Sequence, residues 1–233
     1  RTYFVLALAN MALSDSTYED IACDIIDAII ENTLRIEKEK GKTYFLLGYA
    51  KGRPWVMSPA RSQFIDGEIA IMMAARRFIR EDLRYQKPLQ NLVRIMIERM
   101  EKSPVLSAES YPDQCWLFFN TVSLAAIRMM DVLDGSDHSA FLSRWISTAK
   151  AKLTDKPTGM LISAYAVDGT PDPSGDCPEG STIFMSAHML EIVDPEFARG
   201  QYRRAAKDLK RSFLGFGYAT EWPNLCQGRR DVD

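Results

Sequence analysis

Residues 66–82 read Asp-Gly-Glu-Ile-Ala-Ile-Met-Met-Ala-Ala-Arg-Arg-Phe-Ile-Arg-Glu-Asp, with an unbroken apolar run from Ile69 to Ala75. A helix that is apolar nearly all round must be covered on every side. The run is too short to span a bilayer, which needs about 20 apolar residues. Residues 2–13 have the same character, and so do 112–133 and 180–193. Each is followed by a segment apolar along only one stripe: 17–38, 87–102, 137–153 and 195–213. In the first of these partners Ile21, Ile25, Ile29 and Leu34 fall on one side.

One buried helix and one amphipathic helix thus recur at a period of roughly fifty residues, the mark of a repeat architecture. Inner helices between an outer ring and a ring centre need apolar faces all round, whereas outer helices need one. The pattern predicts an all-α toroid, an α/α-barrel of helical hairpins, over a single domain 1–233. Local signals place the boundaries. Asp15 or Ser16 with Glu19 behind it suits a capping box. Pro88 suits a first helical turn, Pro112-Asp113 opens the third inner helix, and Asp134-Gly-Ser136 breaks it. The opening Arg1–Ser14 stretch is read as a buried helix rather than a signal peptide, and the chain as truncated at both ends.

Composition narrows the function classes. Of the 233 residues 46% are hydrophobic and 26% charged, and the net charge is −2. No global basic field exists to draw nucleic acid or an anionic membrane, and the basic stretch 199–211 reads as a solvated helix face. Cys23, Cys115, Cys177 and Cys226 form no C-x-x-C pair, and a disulfide framework is not expected in so large a domain. His138 reads as surface and His188 as core, with no metal-ligand spacing between them. No Gly-rich nucleotide fingerprint, phosphate loop or nucleophile elbow occurs. The expected enzyme therefore works without a cofactor or metal.

The links between pairs are long: 39–65, 103–111, 154–179 and 214–233. Two contain β-like runs, Tyr44–Tyr49 and Met160–Tyr165. Long loops inside a compact domain are usually functional or disordered. Candidate site residues follow, each with two readings. Glu68, behind Asp66, is either a general acid in apolar surroundings or a partner of the helix dipole. Asp113 is either a helix cap that faces the pocket or only a cap. Tyr111 and Tyr165 either donate to a leaving oxygen or pack. Cys115 is either a nucleophile or a small buried apolar residue. Trp55, Trp116 and Trp222 are pocket wall or core. Arg61 either binds an anionic group or solvates its loop, and Glu179 precedes an inner helix much as Glu68 does.

The order Ser110-Tyr-Pro-Asp-Gln-Cys-Trp-Leu-Phe-Phe-Asn120, Asp131-Val-Leu-Asp-Gly135, Trp145, Ser163-Ala-Tyr165 and Asp194-Pro-Glu-Phe197 resembles the linalool dehydratase/isomerase family. The resemblance implies an α/α-barrel and further segments on both sides, one carrying an acid–base Asp and a Tyr, with Asp231-Val-Asp233 opening another acidic turn. It also implies a homo-oligomer whose pocket borrows residues from a neighbour. Tyr165 matches a family tyrosine. The family's two cysteines fall at Ser110 and Phe119, with Cys115 between them, and its active-site His falls at Glu68. The expectation is an acid–base lyase or isomerase for a small, partly apolar alcohol. The alternatives are a carbohydrate-active α/α-barrel, either a glycoside hydrolase or a sugar epimerase, and a non-catalytic helical-repeat scaffold.

Overall fold

A computed structural model describes residues 1–172 and 177–226, without the side chain of residue 225. The end of the acidic loop 168–176 and the close at Asp231–Asp233 therefore lie outside the described residues. Eight α-helices occur among those described: α1 Thr2–Ser14, α2 Glu19–Lys40, α3 Gln63–Ile79, α4 Leu83–Met100, α5 Leu117–Asp134, α6 Ser139–Lys152, α7 Gly180–Leu190 and α8 Pro195–Leu209. None is long and apolar enough to cross a membrane.

The odd-numbered helices form the inner wall, α1 against α3, α3 against α5, and α5 against α7. The even-numbered helices lie outside: α2 on α1 and α3, α4 on α3 and α5, α8 on α7. Inner and outer members differ as their patterning requires. In α3 everything from Ile69 to Arg77 is buried, whereas α4 buries the single stripe Tyr85, Leu89, Val93, Met96, Arg99 and Met100. α1 is the least covered inner helix, leaving Tyr3, Phe4, Met11 and Leu13 exposed.

Capping chemistry sets the element ends. Asp15 accepts from the Thr17 amide at 2.9 Å and turns the chain from α1 into α2. Ser62, Asp82 and Asp194 cap α3, α4 and α8 through their side-chain oxygens. Gly135 ends α5 in the left-handed conformation, φ 65°, as an αL C-cap requires. Three boundaries differ from the sequence reading. The cap at Asp82 starts α4 earlier, so Pro88 lies inside the helix at an exposed position rather than in its first turn. Asp113 adopts a left-handed φ of 58°, which no α-helix accommodates, so α5 begins only at Leu117. α8 stops at Leu209, and the chain enters a hairpin of β3 Lys210–Phe213 and β4 Phe216–Ala219.

The loops are stitched together. β1 Cys115–Trp116 pairs antiparallel with β2 Ala164–Tyr165, Cys115 opposite Tyr165. The 44–49 run, read as β-like, has no partner strand and forms turns with a 3₁₀ segment at Gly48–Ala50. Cys177 and Cys226 are disulfide-bonded, a single bridge where no disulfide framework was expected; they sit 49 residues apart in sequence, with Cα atoms 6.2 Å apart.

Ion pairs fasten the end where the inner helices finish. Arg76 bonds Asp27 of α2 at 2.8 Å, and Arg77 bonds Asp134 of α5 at 2.6 Å. Burial works against the Asp134 charge, yet hydrogen bonds from Arg77, Gln90 and Gln86, with the Arg77 charge, hold its carboxyl below the usual range. Its stabilisation is therefore complete above the ordinary aspartate value of about 3.9 and is lost as pH falls through the depressed folded value. Arg77→Ala leaves that carboxylate buried without its cation and should cost about 3 kcal/mol in urea unfolding at neutral pH. The gap between wild type and variant should narrow as the acid limb is approached.

Candidate functional site

All four inner helices run the same way, so their N-termini gather at one mouth, where the long loops enter. The first turns of α1, α3 and α5 bring aromatic side chains together there. Tyr3 stacks on Phe118 with centroids 6.3 Å apart, Phe118 meets Phe119 at 5.3 Å, and Phe119 meets Phe64 at 4.2 Å. Tyr111 joins Phe64 at 6.0 Å and Tyr49 at 5.8 Å. Six rings thus make a continuous ribbon from α1 to the loop before α3. The Tyr3 hydroxyl extends it to α7 by donating to the Met185 sulfur.

Glu68 stands among these groups. It lies on α3 with its side chain 16% exposed, and its Oε2 accepts from Arg1 at 3.2 Å. The Arg1 guanidinium also lies 4.5 Å over the Phe45 ring. Burial raises the Tyr3 phenol pKa, and the Glu68 charge adds to that shift. Tyr111 is pushed up to about 12 by burial, by neighbouring Tyr49 and by Glu68. Both phenols therefore remain protonated near neutrality and are donors. Gly67 lets the helix carrying Glu68 approach α5: a Cβ there would lie 2.6 Å from Ser123 Oγ.

The other sequence candidates lie elsewhere. Tyr165 is fully buried and shares a 2.8 Å hydrogen bond with Ser107. Cys115 is equally buried opposite it, and burial drives its thiol pKa far up. Both belong to the packed layer behind the mouth. Asp113 sits exposed on the turn before α5, and its backbone N–H donates to Glu109 Oε1 at 2.8 Å. Arg61 is held in a bidentate pair by buried Asp66, so its guanidinium is already engaged. Glu179 is buried, accepts from the Thr182 hydroxyl at 2.9 Å and ends the loop before α7. Trp55 and Trp116 are half-buried against the core, and the Trp116 indole N–H is enclosed without a hydrogen-bond partner. Trp222 is half-buried on the segment after β4.

Two carboxylates that sequence reasoning missed organise the mouth. Glu109 is wholly buried and accepts from the amides of Val56, Met57 and Asp113, each at 2.8 Å. It ties the loop carrying Trp55 to the turn carrying Tyr111. Glu221 accepts from the Ser181 amide and hydroxyl at the start of α7. Neither has a local motif, because each bonds backbone amides remote in sequence. The histidines are not at the mouth: His138 bonds Asp131 at 2.6 Å, and His188, expected in the core, is exposed near the other end of α7. Among the described residues no group of three or more His, Cys, Asp and Glu side chains could hold a metal ion.

Taken together, fold and mouth define an all-α toroid of the α/α-barrel class. No family model matches the chain. Among solved structures, it is similar to the crystal structure of D-mannose isomerase, with a TM-score of 0.56 and 15% sequence identity, over 94% of this chain and 61% of that one. The chain therefore spans about three-fifths of that protein's length. At this identity the likeness speaks for the fold.

The placements of Cys115 and Tyr165 are directly testable. Neither Cys115 nor Cys23 should react with a chromogenic thiol reagent in the native protein, and both should react once it is denatured, since burial raises both thiols. Tyr165→Phe should cost about 1 kcal/mol of stability and leave any turnover intact. Rapid native labelling of Cys115 would place it at the mouth instead.

Proposed function

We propose that the chain is an acid–base enzyme of the isomerase or lyase class, acting at this mouth on a small, partly apolar hydroxylated molecule. The observation that carries the reading is Glu68, a carboxylate whose charge bears on two protonated phenols, Tyr3 and Tyr111, beside six aromatic rings. Glu68 would accept a proton from carbon, while Tyr111 hydrogen-bonds the substrate oxygen on which charge develops and Tyr3, its hydroxyl on Met185, lines the wall. The aromatic ribbon would hold the apolar part of the substrate. Arg1, 3.2 Å from its Oε2, would orient the Glu68 carboxylate before substrate arrives.

The resemblance to the linalool dehydratase/isomerase family supports a tertiary alcohol as substrate, with Glu68 standing where the family has its histidine. A second reading, a sugar isomerase or epimerase, draws on the likeness to D-mannose isomerase. It fits the geometry less well. A sugar needs many hydroxyl partners, whereas the ribbon offers mainly carbon, and Glu109 and Glu221 are occupied by backbone amides. A glycoside hydrolase needs two carboxyl groups roughly 5–10 Å apart across a groove, and the same occupation speaks against it.

The test is turnover of two panels, terpene and other tertiary alcohols against aldoses, ketoses and glycosides, by wild type and Glu68→Gln. Turnover of the first panel should fall on the order of 10²–10⁴-fold in the variant. Turnover of sugars alone would overturn the first reading in favour of the second. Turnover of neither panel, with a protein partner recovered, would favour a scaffold.

A further inference from the structure

The segment after β4 crosses the start of α7, held by polar anchors, a short buried stretch and a disulfide. Its polar anchors are the Gly180 amide to the Glu221 carbonyl at 2.6 Å, the Ser181 amide and hydroxyl to the Glu221 carboxylate, and the Thr220 amide to the Leu209 carbonyl at 3.0 Å. Arg211 adds a bond to Asn224 at 2.9 Å. Apolar burial on the segment is confined to Pro223 and Cys226, with Trp222 half-buried, while Phe213, Leu214, Phe216 and Tyr218 of the preceding hairpin are all exposed. Solvent-facing hydrogen bonds with few buried contacts are the signature of a segment that opens locally at small cost. The covalent tie is Cys177–Cys226: Cys177 lies three residues before Gly180, and Cys226 five residues after Glu221. The disulfide therefore brackets the contact between Glu221 and the first turn of α7.

We propose that Cys177–Cys226 is a redox latch that holds Glu221 as the positioning residue of the α7 side of the mouth. In the oxidised protein Glu221 occupies the Gly180 and Ser181 amides and fixes the start of the helix whose Met185 receives the Tyr3 hydroxyl. Cys177 is the more accessible half, half-buried where Cys226 is 8% exposed. A dithiol thiolate attacks Cys177 Sγ, the S–S bond breaks, and Cys226 leaves as a thiolate. The second thiol of the reagent then displaces Cys177 and closes a cyclic disulfide. Two electrons pass from the dithiol to the protein, and both cysteines end as thiols after protonation. With the bracket gone, the polar anchors and the burial of Pro223 and Trp222 alone oppose lifting of the segment, and lifting takes Glu221 from the start of α7.

The latch is tested by hydrogen–deuterium exchange of the folded chain, oxidised and after dithiothreitol, beside a Cys177→Ser/Cys226→Ser variant. Exchange at Gly180, Ser181 and 216–226 should speed by about tenfold or more on reduction, while α3 and α5 keep their protection. Glu221→Gln with the disulfide intact should speed Ser181 and leave the hairpin unchanged. Unaltered exchange on reduction, or equal loss across all helices, would overturn the latch and make the disulfide an ordinary staple. Should the double variant fail to fold, reduction of the native chain still decides. The effect on turnover rests on the proposed reaction: reduction should lower kcat of the oxidised enzyme several-fold, with Tyr165→Phe as the unaffected control. An oxidised enzyme that turns over neither panel refutes the reaction, while the exchange result still decides the latch.

Discussion

The close packing of α3 on α5 is the constraint on which the mouth depends. Gly67 removes the one Cβ that would strike Ser123, and Ala70, Ala74, Ala125 and Ala126 keep both helices slender. Small residues at a helix contact let backbones approach until side chains from either helix interdigitate. That spacing puts Phe64 against Phe119 and sets Glu68 one residue beyond the contact. The acid and the aromatic ribbon therefore come from the same packing event, and moving one helix moves both.

The inner helices divide labour along their length. Their C-terminal ends are fastened by charge, through Arg76, Arg77, Asp27 and Asp134. Their N-terminal ends carry aromatics, with the Arg1–Glu68 pair beside the ribbon and the largely buried Arg61–Asp66 pair at the first turn of α3. Desolvated charge pairs are unforgiving of displacement, because a half-broken pair leaves an uncompensated buried ion. Stacked rings tolerate slippage over a shallow range of geometries.

How much of this was legible depended on the range of the interactions. Inner and outer helices followed from apolar patterning, a local property, and the apolar run Ile69–Ala75 of α3 is buried throughout. Glu68 and Tyr111 were legible as polar groups near inner-helix starts, and both stand at the mouth. Asp113 was misplaced because Pro112-Asp113 also suits a turn, and the left-handed φ at Asp113 wins there. The Tyr44–Tyr49 run has β propensity but no neighbouring strand, and propensity without a ladder does not make a sheet. The Cys177–Cys226 pairing was invisible because nothing in one sequence reports that residues 49 apart meet.

Glu109 and Glu221 show why loops of this kind leave little trace in sequence. A long connection brings many amides into the interior, and each buried N–H must find an acceptor. Here one carboxylate serves three amides from two loops, and another serves the first turn of a helix. The acceptor's identity is set by the fold rather than by its neighbours in the chain, so a Glu in such a role looks like any solvated Glu. The two differ in what else holds them. Glu109 is wholly buried, so its loops are fixed by packing as well as by hydrogen bonds. Glu221 is half-buried beside an exposed hairpin, where a covalent link adds to the packing of Trp222 and Pro223.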